Sequence, residues 1–205
     1  MLRHPARERR LAYALAAVAG FVDATGFLET HGLFVSFMTG NSTRLALATS
    51  NASPVALTAL ALVTAFVAGV VLASVAAAKT RHADAILMPS IAIALALAGL
   101  ARLVGVPIAP ALLAAMAMGA LNLTFRRDGE VSIAIGYMTG NLVKLGLRLA
   151  EGMTGTGRLG AAWPPLAMWM ALVCGAITGA LVGDGEWTAN YFIAAALLAT
   201  IAALR

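Results

Sequence analysis

Charged side chains are scarce in this sequence: Asp, Glu, Lys and Arg together make up 11% of its 205 residues. A soluble domain of average composition has about a quarter of its residues charged and uses them to cover its surface. Hydrophobic residues instead account for 61% of the chain, and its mean hydropathy is +0.89. The shortage of charge therefore excludes a soluble globule, a soluble enzyme and a disordered chain.

Cysteine and histidine are also few. The one cysteine, Cys174, cannot form a disulfide within the chain, and a single thiol cannot enclose a metal ion. The sequence has neither a phosphate-binding loop nor the motifs of zinc proteases and serine hydrolases. The three histidines, His4, His31 and His82, lie outside the apolar stretches, which argues against an intramembrane protease. We therefore predict that the protein is not an enzyme and has no cofactor.

Long apolar stretches are what the sequence does contain. A membrane-spanning helix needs roughly 20 apolar residues, and six stretches approach or exceed this length: 10–28, 55–78, 85–104, 108–125, 163–183 and 187–204. Two further apolar segments, 33–50 and 131–150, are interrupted by Thr-Gly-Asn and carry a basic residue. The net charge of +5 fits cytoplasmic loops better than a surface for nucleic acid. We predict an all-α, multi-pass membrane protein whose main partner is the lipid bilayer.

An internal repeat divides the chain. The residues from Phe37 to Leu47 read FMTGNSTRLAL, and those from Tyr137 to Leu147 read YMTGNLVKLGL. Upstream of these segments, Gly20 and Asp23 correspond to Gly119 and Asn122. An identical tetrapeptide at half-chain spacing indicates duplication. We predict one membrane domain over residues 1–205, built from a first repeat at 1–105 and a second at 106–205.

Two topologies are compatible with these segments. If the Met-Thr-Gly-Asn segments cross the membrane, the chain has eight spans and parallel halves, but Lys79 and Arg126 then face outward. If they enter and leave on one side, the chain has six spans and inverted halves, and the positive-inside rule holds. We favour this second topology, in which Arg102 lies near the outer end of its span and could snorkel. It places Lys79, Arg81, Arg126, Arg127, Arg158, Arg205 and both termini in the cytoplasm, with Glu29, Asp184 and Glu186 outside.

The repeated motif has the residues of a helix start. Thr and Asn side chains accept hydrogen bonds from unpaired N–H groups, and Gly tolerates the change in backbone angles. Two short helices starting from opposite faces would direct two partly positive ends at one place, which suits a small polar or anionic solute. The predicted substrate-binding residues are Thr39, Gly40, Asn41, Arg44, Thr139, Gly140, Asn141, Lys144, Asp23 and Asn122.

Other interpretations remain open at these positions. The motif could serve only helix packing, and Asp23 is either a proton or cation carrier or, as we slightly favour, the ion-pair partner of Arg44. Glu29 and His31 are expected to be solvated loop residues. Gly175, Gly179 and Gly183 form a stripe of small residues, which is typical of a helix-packing face or of a seam between two copies of the chain.

The residues from Gly20 to Ala24, from Gly32 to Asn41 and from Gly136 to Asn141 resemble the YoaK-like family of bacterial inner-membrane proteins. This resemblance covers nearly the whole chain and implies a small polytopic membrane protein, but it implies no substrate. From the residues themselves, we expect a small transporter or channel whose site lies between the two motifs near the midplane. The alternative is a scaffold, assembly or lipid-interacting protein without transport.

Overall fold

The computed structural model describes residues 5–80, 83–127, 130–131, 135–182 and 187–204. Nearly all of this part is helical, as predicted. Its eight α-helices are α1 (Ala6–Glu29), α2 (Met38–Ser50), α3 (Val55–Lys79), α4 (Ala83–Leu103), α5 (Ala109–Leu121), α6 (Met138–Met153), α7 (Trp163–Val182) and α8 (Trp187–Ala203). Short 3₁₀ helices follow α5 at Asn122–Phe125 and precede α7 at Leu159–Ala162, and β1 (Arg126–Arg127) pairs antiparallel with β2 (Glu130–Val131). Arg81, Asp184, Glu186 and Arg205, to which the sequence assigns a side of the membrane, lie outside the described residues.

Four helical segments are long and apolar enough to cross a membrane: Ala6–Glu29, Val55–Lys79, Ala85–Leu103 and Leu159–Val182. Two apolar helices are shorter, at Ala109–Phe125 and Trp187–Ala203. These six segments coincide with the six stretches predicted from the sequence. The helices that carry the repeated motif, α2 and α6, are not among them, because polar residues interrupt their apolar character. The described part of the chain thus has the helices of a membrane protein.

Helix α1 crosses α7 with direct contact between their backbones. A Cβ atom added to Gly20 would collide with the carbonyl oxygen of Leu172, and one added to Gly175 would collide with that of Ala17. Gly179 likewise lies against the carbonyl of Phe21. Such close approach strengthens van der Waals packing between helices where no water is present to drive association.

The crossing of α3 and α5 repeats this arrangement. Gly119 lies against the carbonyl of Phe66, and Gly69 lies against that of Met116. Gly119 is the counterpart of Gly20 in the duplicated sequence, so the first helix of each half packs on the third α-helix of the other half. Helices α4 and α8 also pack on each other, and the ring of Phe192 lies over Gly99.

A polar cluster joins the ends of three helices. Glu29, the last residue of α1, accepts a hydrogen bond from the Tyr191 hydroxyl of α8 and pairs with Arg102 of α4, whose Nε lies 3.5 Å from its Oε1. The side chain of Glu29 is only 11% exposed, so the prediction of a solvated loop residue is wrong. Arg102 has a carboxylate partner and does not depend on snorkelling. The ends of α1 and α4 and the start of α8 therefore lie at the same end of the bundle.

The other end of the bundle holds the start of α1 and the end of α8. Nη2 of Arg7, near the start of α1, lies 3.4 Å from the carbonyl oxygen of Leu204, just after α8. Further along the same helix pair, the amide of Asn190 donates to the Thr25 hydroxyl at 3.0 Å and to the Gly179 carbonyl at 2.9 Å. Helices α1 and α8 are thus antiparallel neighbours.

Two glycines of the small-residue stripe on α7 pack against α1 of the same chain. Gly175 and Gly179 are both buried against α1, which agrees with the helix-packing interpretation. A seam to a second copy through these two glycines would have to displace α1. Gly183, the third member of the stripe, lies outside the described residues.

Candidate functional site

Both copies of the repeated motif begin a helix. Helix α2 starts at Met38 and α6 starts at Met138, and no side-chain hydrogen bond caps either start. The first-turn N–H groups of a helix have no partner within the helix, and they carry its partial positive charge. The sequence-based prediction that a short helix begins at each motif is therefore confirmed, whereas the prediction that Thr and Asn side chains of the motif cap the first turn is wrong.

The glycine of each motif makes room for an aromatic ring. A Cβ atom on Gly40 would approach the ring of Phe37 to 2.5 Å, and one on Gly140 would overlap the ring of Tyr137. The residue before each motif is thus folded over the first turn of its own helix. Glycine is needed here because any side chain would displace the ring.

The asparagine of the first motif is used for structure. Asn41 is fully buried; its Oδ1 accepts the N–H of Phe34 at 2.8 Å, and its Nδ2 donates to the carbonyl of Phe34 at 2.6 Å. Asn141 is 5% exposed, and its Nδ2 lies 3.7 Å from Sδ of Met138. Asn41 therefore satisfies the backbone of the segment that leads into α2.

Asp23 and Asn122 each hold the segment that leads into a motif helix. We call these the approach segments: residues 30–37 before α2 and the described residues 135–137 before α6. Oδ1 of Asp23 accepts the N–H groups of Val35 at 2.9 Å and of Ser36 at 2.7 Å. In the second half, Oδ1 of Asn122 accepts the N–H of Gly136 at 3.3 Å, and Nδ2 of Asn122 donates to the carbonyl of Met118 at 2.9 Å. The correspondence of Asp23 with Asn122, read from the sequence, thus has a structural basis.

The two cations lie away from the motif starts. The guanidinium carbon of Arg44 lies 5.4 Å from the ring centroid of Phe27 and 6.0 Å from that of Phe34. The predicted ion pair between Asp23 and Arg44 is wrong, because Asp23 is occupied by backbone N–H groups and the guanidinium stacks on aromatic rings. Lys144 is exposed on α6.

A cavity of about 530 Å³ lies between the two motifs. Both Thr39 and Thr139 line it, and so does Asn122. The two approach segments meet beside it, since a Cβ on Gly136 would lie 3.9 Å from the carbonyl oxygen of Ser36. Ser36 and Gly136 are equivalent positions of the repeat.

Of the ten predicted site residues, these three line the cavity, whereas the remaining seven do not: Gly40, Asn41, Arg44, Gly140, Asn141, Lys144 and Asp23. Ser36, Gly136 and the ring of Phe66 also line the cavity and were not among the residues predicted from the sequence. The repeat register would have paired Ser36 with Gly136, but nothing in the sequence places Phe66 beside them. Its position follows from the crossing of α3 over α5.

The walls of the cavity are mostly apolar, with a small number of polar groups among them. Thr hydroxyls, the Asn122 amide and two helix starts surround it together with the rings of Phe37 and Tyr137. Among the described residues that line it, none is charged. Within the described ranges of the chain, no group of three or more His, Cys, Asp or Glu side chains is arranged to hold a metal ion.

A family model described as "Protein of unknown function (DUF1275)" matches residues 11–204. The chain belongs to this family. No curated protein and no solved structure was found to match it. The match extends over nearly the whole chain, as the YoaK-like resemblance predicted, whereas that name stays a prediction because no named relative was found.

Proposed function

We propose that the chain crosses the bacterial inner membrane six times in two inverted halves, with both termini in the cytoplasm. The support comes from the cluster of Glu29, Arg102 and Tyr191, which brings the ends of α1 and α4 and the start of α8 together. Helices α1 and α4 can end on one side only if α2 and α3 together cross once. Since α3 is a candidate span and α2 has 13 residues, or about 20 Å of helix, α2 enters and leaves on one side.

The topology is tested by the accessibility of a single cysteine. Ala52 lies in the turn between α2 and α3 and has a φ of 51°, a conformation that costs cysteine no more than alanine. In a Cys174→Ala background, we expect Ala52→Cys to react with a membrane-impermeant thiol reagent added outside intact cells. Labelling that requires permeabilised cells would contradict the six-span topology.

Within this topology, the protein is a small transporter or channel for a small polar or anionic solute. The observation that carries this proposal is the cavity between the two motifs, which Thr39 and Thr139 line from opposite halves. Backbone that is not helical at membrane depth is tolerated where it is buried in protein or lines a cavity. Discontinuous helices that meet at a repeat interface are the usual binding site of transporters with inverted repeats.

The solute is recognised by dipoles and hydroxyls. The starts of α2 and α6 supply partial positive charge, Thr39 and Thr139 supply hydroxyl groups, and Asn122 supplies an amide. The absence of charged side chains among the described lining residues favours a neutral polar solute or a monovalent anion, since a multivalent ion would need charged partners. Arg44 and Lys144 do not line the cavity, so in this proposal they influence the solute only through the electric field of their charges.

Flux into proteoliposomes tests the proposal. We expect uptake measured with a panel of probes, namely urea, glycerol, formate and nitrate, to exceed that of empty liposomes for at least one probe. The double variant Thr39→Val and Thr139→Val, which keeps side-chain shape and removes both hydroxyls, should lower this flux about tenfold or more, as expected for two lost hydrogen bonds. Thr43→Val is the matched control, because Thr43 lies on α2, is exposed and does not line the cavity. Equal flux in the double variant and the control would contradict the proposal that the solute binds in this cavity.

A second candidate function is a scaffold or assembly role without transport. The full use of the Asn41 amide on the backbone of Phe34 favours it, because it gives the motif a purely structural task. A scaffold predicts flux no higher than that of empty liposomes for every probe. It also predicts that the folded double variant Thr39→Val and Thr139→Val gives the same flux as the wild type.

A further inference from the structure

A second cavity lies along the groove between α1 and α7, apart from the one between the motifs. Its volume is about 350 Å³. Ala24 and Leu28 of α1 and Leu172, Ala176 and Ala180 of α7 form its apolar walls. Leu28 and Ala180 are exposed, so the cleft opens on the side of the bundle.

One carboxylate lies in this apolar cleft. Asp23 is the charged residue among the described residues that line it, and ionisable residues within membrane helices are costly and usually serve a function. Its Oδ1 anchors Val35 and Ser36. At the equivalent position of the second half, however, Asn122 anchors Gly136 with an uncharged amide oxygen. Holding the approach segment therefore does not by itself require a negative charge.

Two aromatic rings close one end of the cleft. Phe27 and Phe34 both line it, and their ring centroids are 4.7 Å apart. The guanidinium carbon of Arg44 lies 5.4 Å and 6.0 Å from the centroids of the same two rings, distances at which an aromatic face attracts a cation. Arg44 itself is not among the lining residues.

We propose that this cleft binds a small organic cation with an apolar body, a quaternary or protonated amine whose charge faces Asp23 and whose body lies against Phe27, Phe34 and α7. The carboxylate supplies the opposite charge in a site from which water is largely excluded, where such attraction is strong. The aromatic faces add cation–π attraction, and the alanines of α7 leave room for the apolar part. The site is separate from the cavity between the motifs and does not depend on transport there.

Calorimetric titration of the purified protein in detergent tests this proposal with benzyltrimethylammonium as the probe. We expect saturable binding to the wild type and much weaker binding of the neutral isostere neopentylbenzene, since only the charge differs. Asp23→Asn keeps the acceptor for Val35 and Ser36 and should weaken binding of the ammonium about tenfold or more. Glu151→Gln is the matched control, because it neutralises a carboxylate that lies outside the cleft, where it pairs with Arg148 on α6, and it should leave probe affinity unchanged.

Two further variants keep the test decisive if Asp23→Asn folds poorly. Ala180→Phe fills the cleft from its exposed rim and should abolish probe binding while the melting temperature stays close to that of the wild type. Arg44→Gln removes the neighbouring positive charge and should tighten binding of the ammonium. The proposal is overturned if neopentylbenzene binds as well as the ammonium, if the folded Ala180→Phe variant retains full affinity, or if benzenesulfonate binds in preference and Arg44→Gln abolishes that binding.

Discussion

Helices α2 and α6 begin alike and continue differently. Each starts at Met-Thr-Gly-Asn, buries its asparagine and packs an aromatic ring over its glycine. Beyond the first turn, α2 has Ser42 and Thr43, whose hydroxyls bond to the carbonyls of Met38 and Thr39 in their own helix.

At the corresponding places α6 has Leu142 and Val143, both exposed. It also has a second basic residue, Arg148, which pairs with Glu151 at 2.7 Å. The two helices therefore share what lies at the cavity and differ in what faces outward. The difference indicates that the start of the helix is the constrained feature, whereas the rest of each helix only has to suit its own surroundings.

The largest effect is expected where the two halves interlock. Gly175→Val should destabilise the protein by about 3 kcal/mol or more, because its Cβ would overlap the carbonyl of Ala17 and the backbones of α1 and α7 would have to separate. Gly69→Val should act equally at the equivalent crossing of α3 and α5. Melting temperature in detergent, together with the fraction eluting as a single species, measures both.

A glycine of α6 provides the control for these variants. A Cβ on Gly146 would meet nothing within 4 Å, so Gly146→Val should change stability by less than about 1 kcal/mol. A difference of more than about 2 kcal/mol between Gly175→Val and Gly69→Val would contradict the equivalence of the two crossings.

An intermediate effect is expected at the asparagines. Asn41→Ala leaves the partly buried N–H and carbonyl of Phe34 without their partner and should cost about 2 kcal/mol. If both motifs are built alike, Asn141→Ala should cost about the same. Ser42→Ala is the control, since the exposed hydroxyl of Ser42 bonds only to its own helix. A stable Asn141→Ala variant beside an unstable Asn41→Ala variant would limit the structural task to the first motif.

The smallest effect is expected on the outward faces. Exchanging the two helices' residues, with Ser42→Leu in α2 and Leu142→Ser in α6, should change stability by less than about 1 kcal/mol, because all these side chains are exposed. Flux, if present, should stay within about twofold of the wild type. A loss comparable to that of Asn41→Ala would mean that these faces are covered, and cross-linking of the detergent-solubilised protein would then show whether a second copy covers them.

The sequence predicted the helices well because a candidate membrane span is a contiguous run of apolar residues. A run of apolar residues long enough to cross a bilayer gave the six segments that correspond to α1, α3, α4, α5, α7 and α8. The motif gave the starts of α2 and α6, because Thr-Gly-Asn disfavours an uninterrupted helix. The internal repeat also predicted that Asp23 and Asn122 occupy equivalent positions.

The partners of the charged residues could not be predicted in the same way. Asp23 was expected to pair with Arg44, the nearest cation in the apolar segments, but backbone N–H groups of the approach segment satisfy it instead. Glu29 was expected in a solvated loop, yet it is enclosed by Arg102 and Tyr191, which follow it by 73 and 162 residues in the sequence. Contacts over such separations depend on which helices become neighbours, and composition does not contain this information.

The sequence by itself determined that the chain has helices long and apolar enough to cross a membrane, that its Met-Thr-Gly-Asn motif occurs twice and that a helix begins at each copy. Those properties follow from local hydrophobicity and from the backbone preferences of a few residues. Only the tertiary structure decided which repeated residues line a common cavity. Thr39 and Thr139 line it while the cations beside them do not. The crossing of α3 with α5 brings Phe66 and Asn122, which are 56 residues apart in the sequence, to the same cavity.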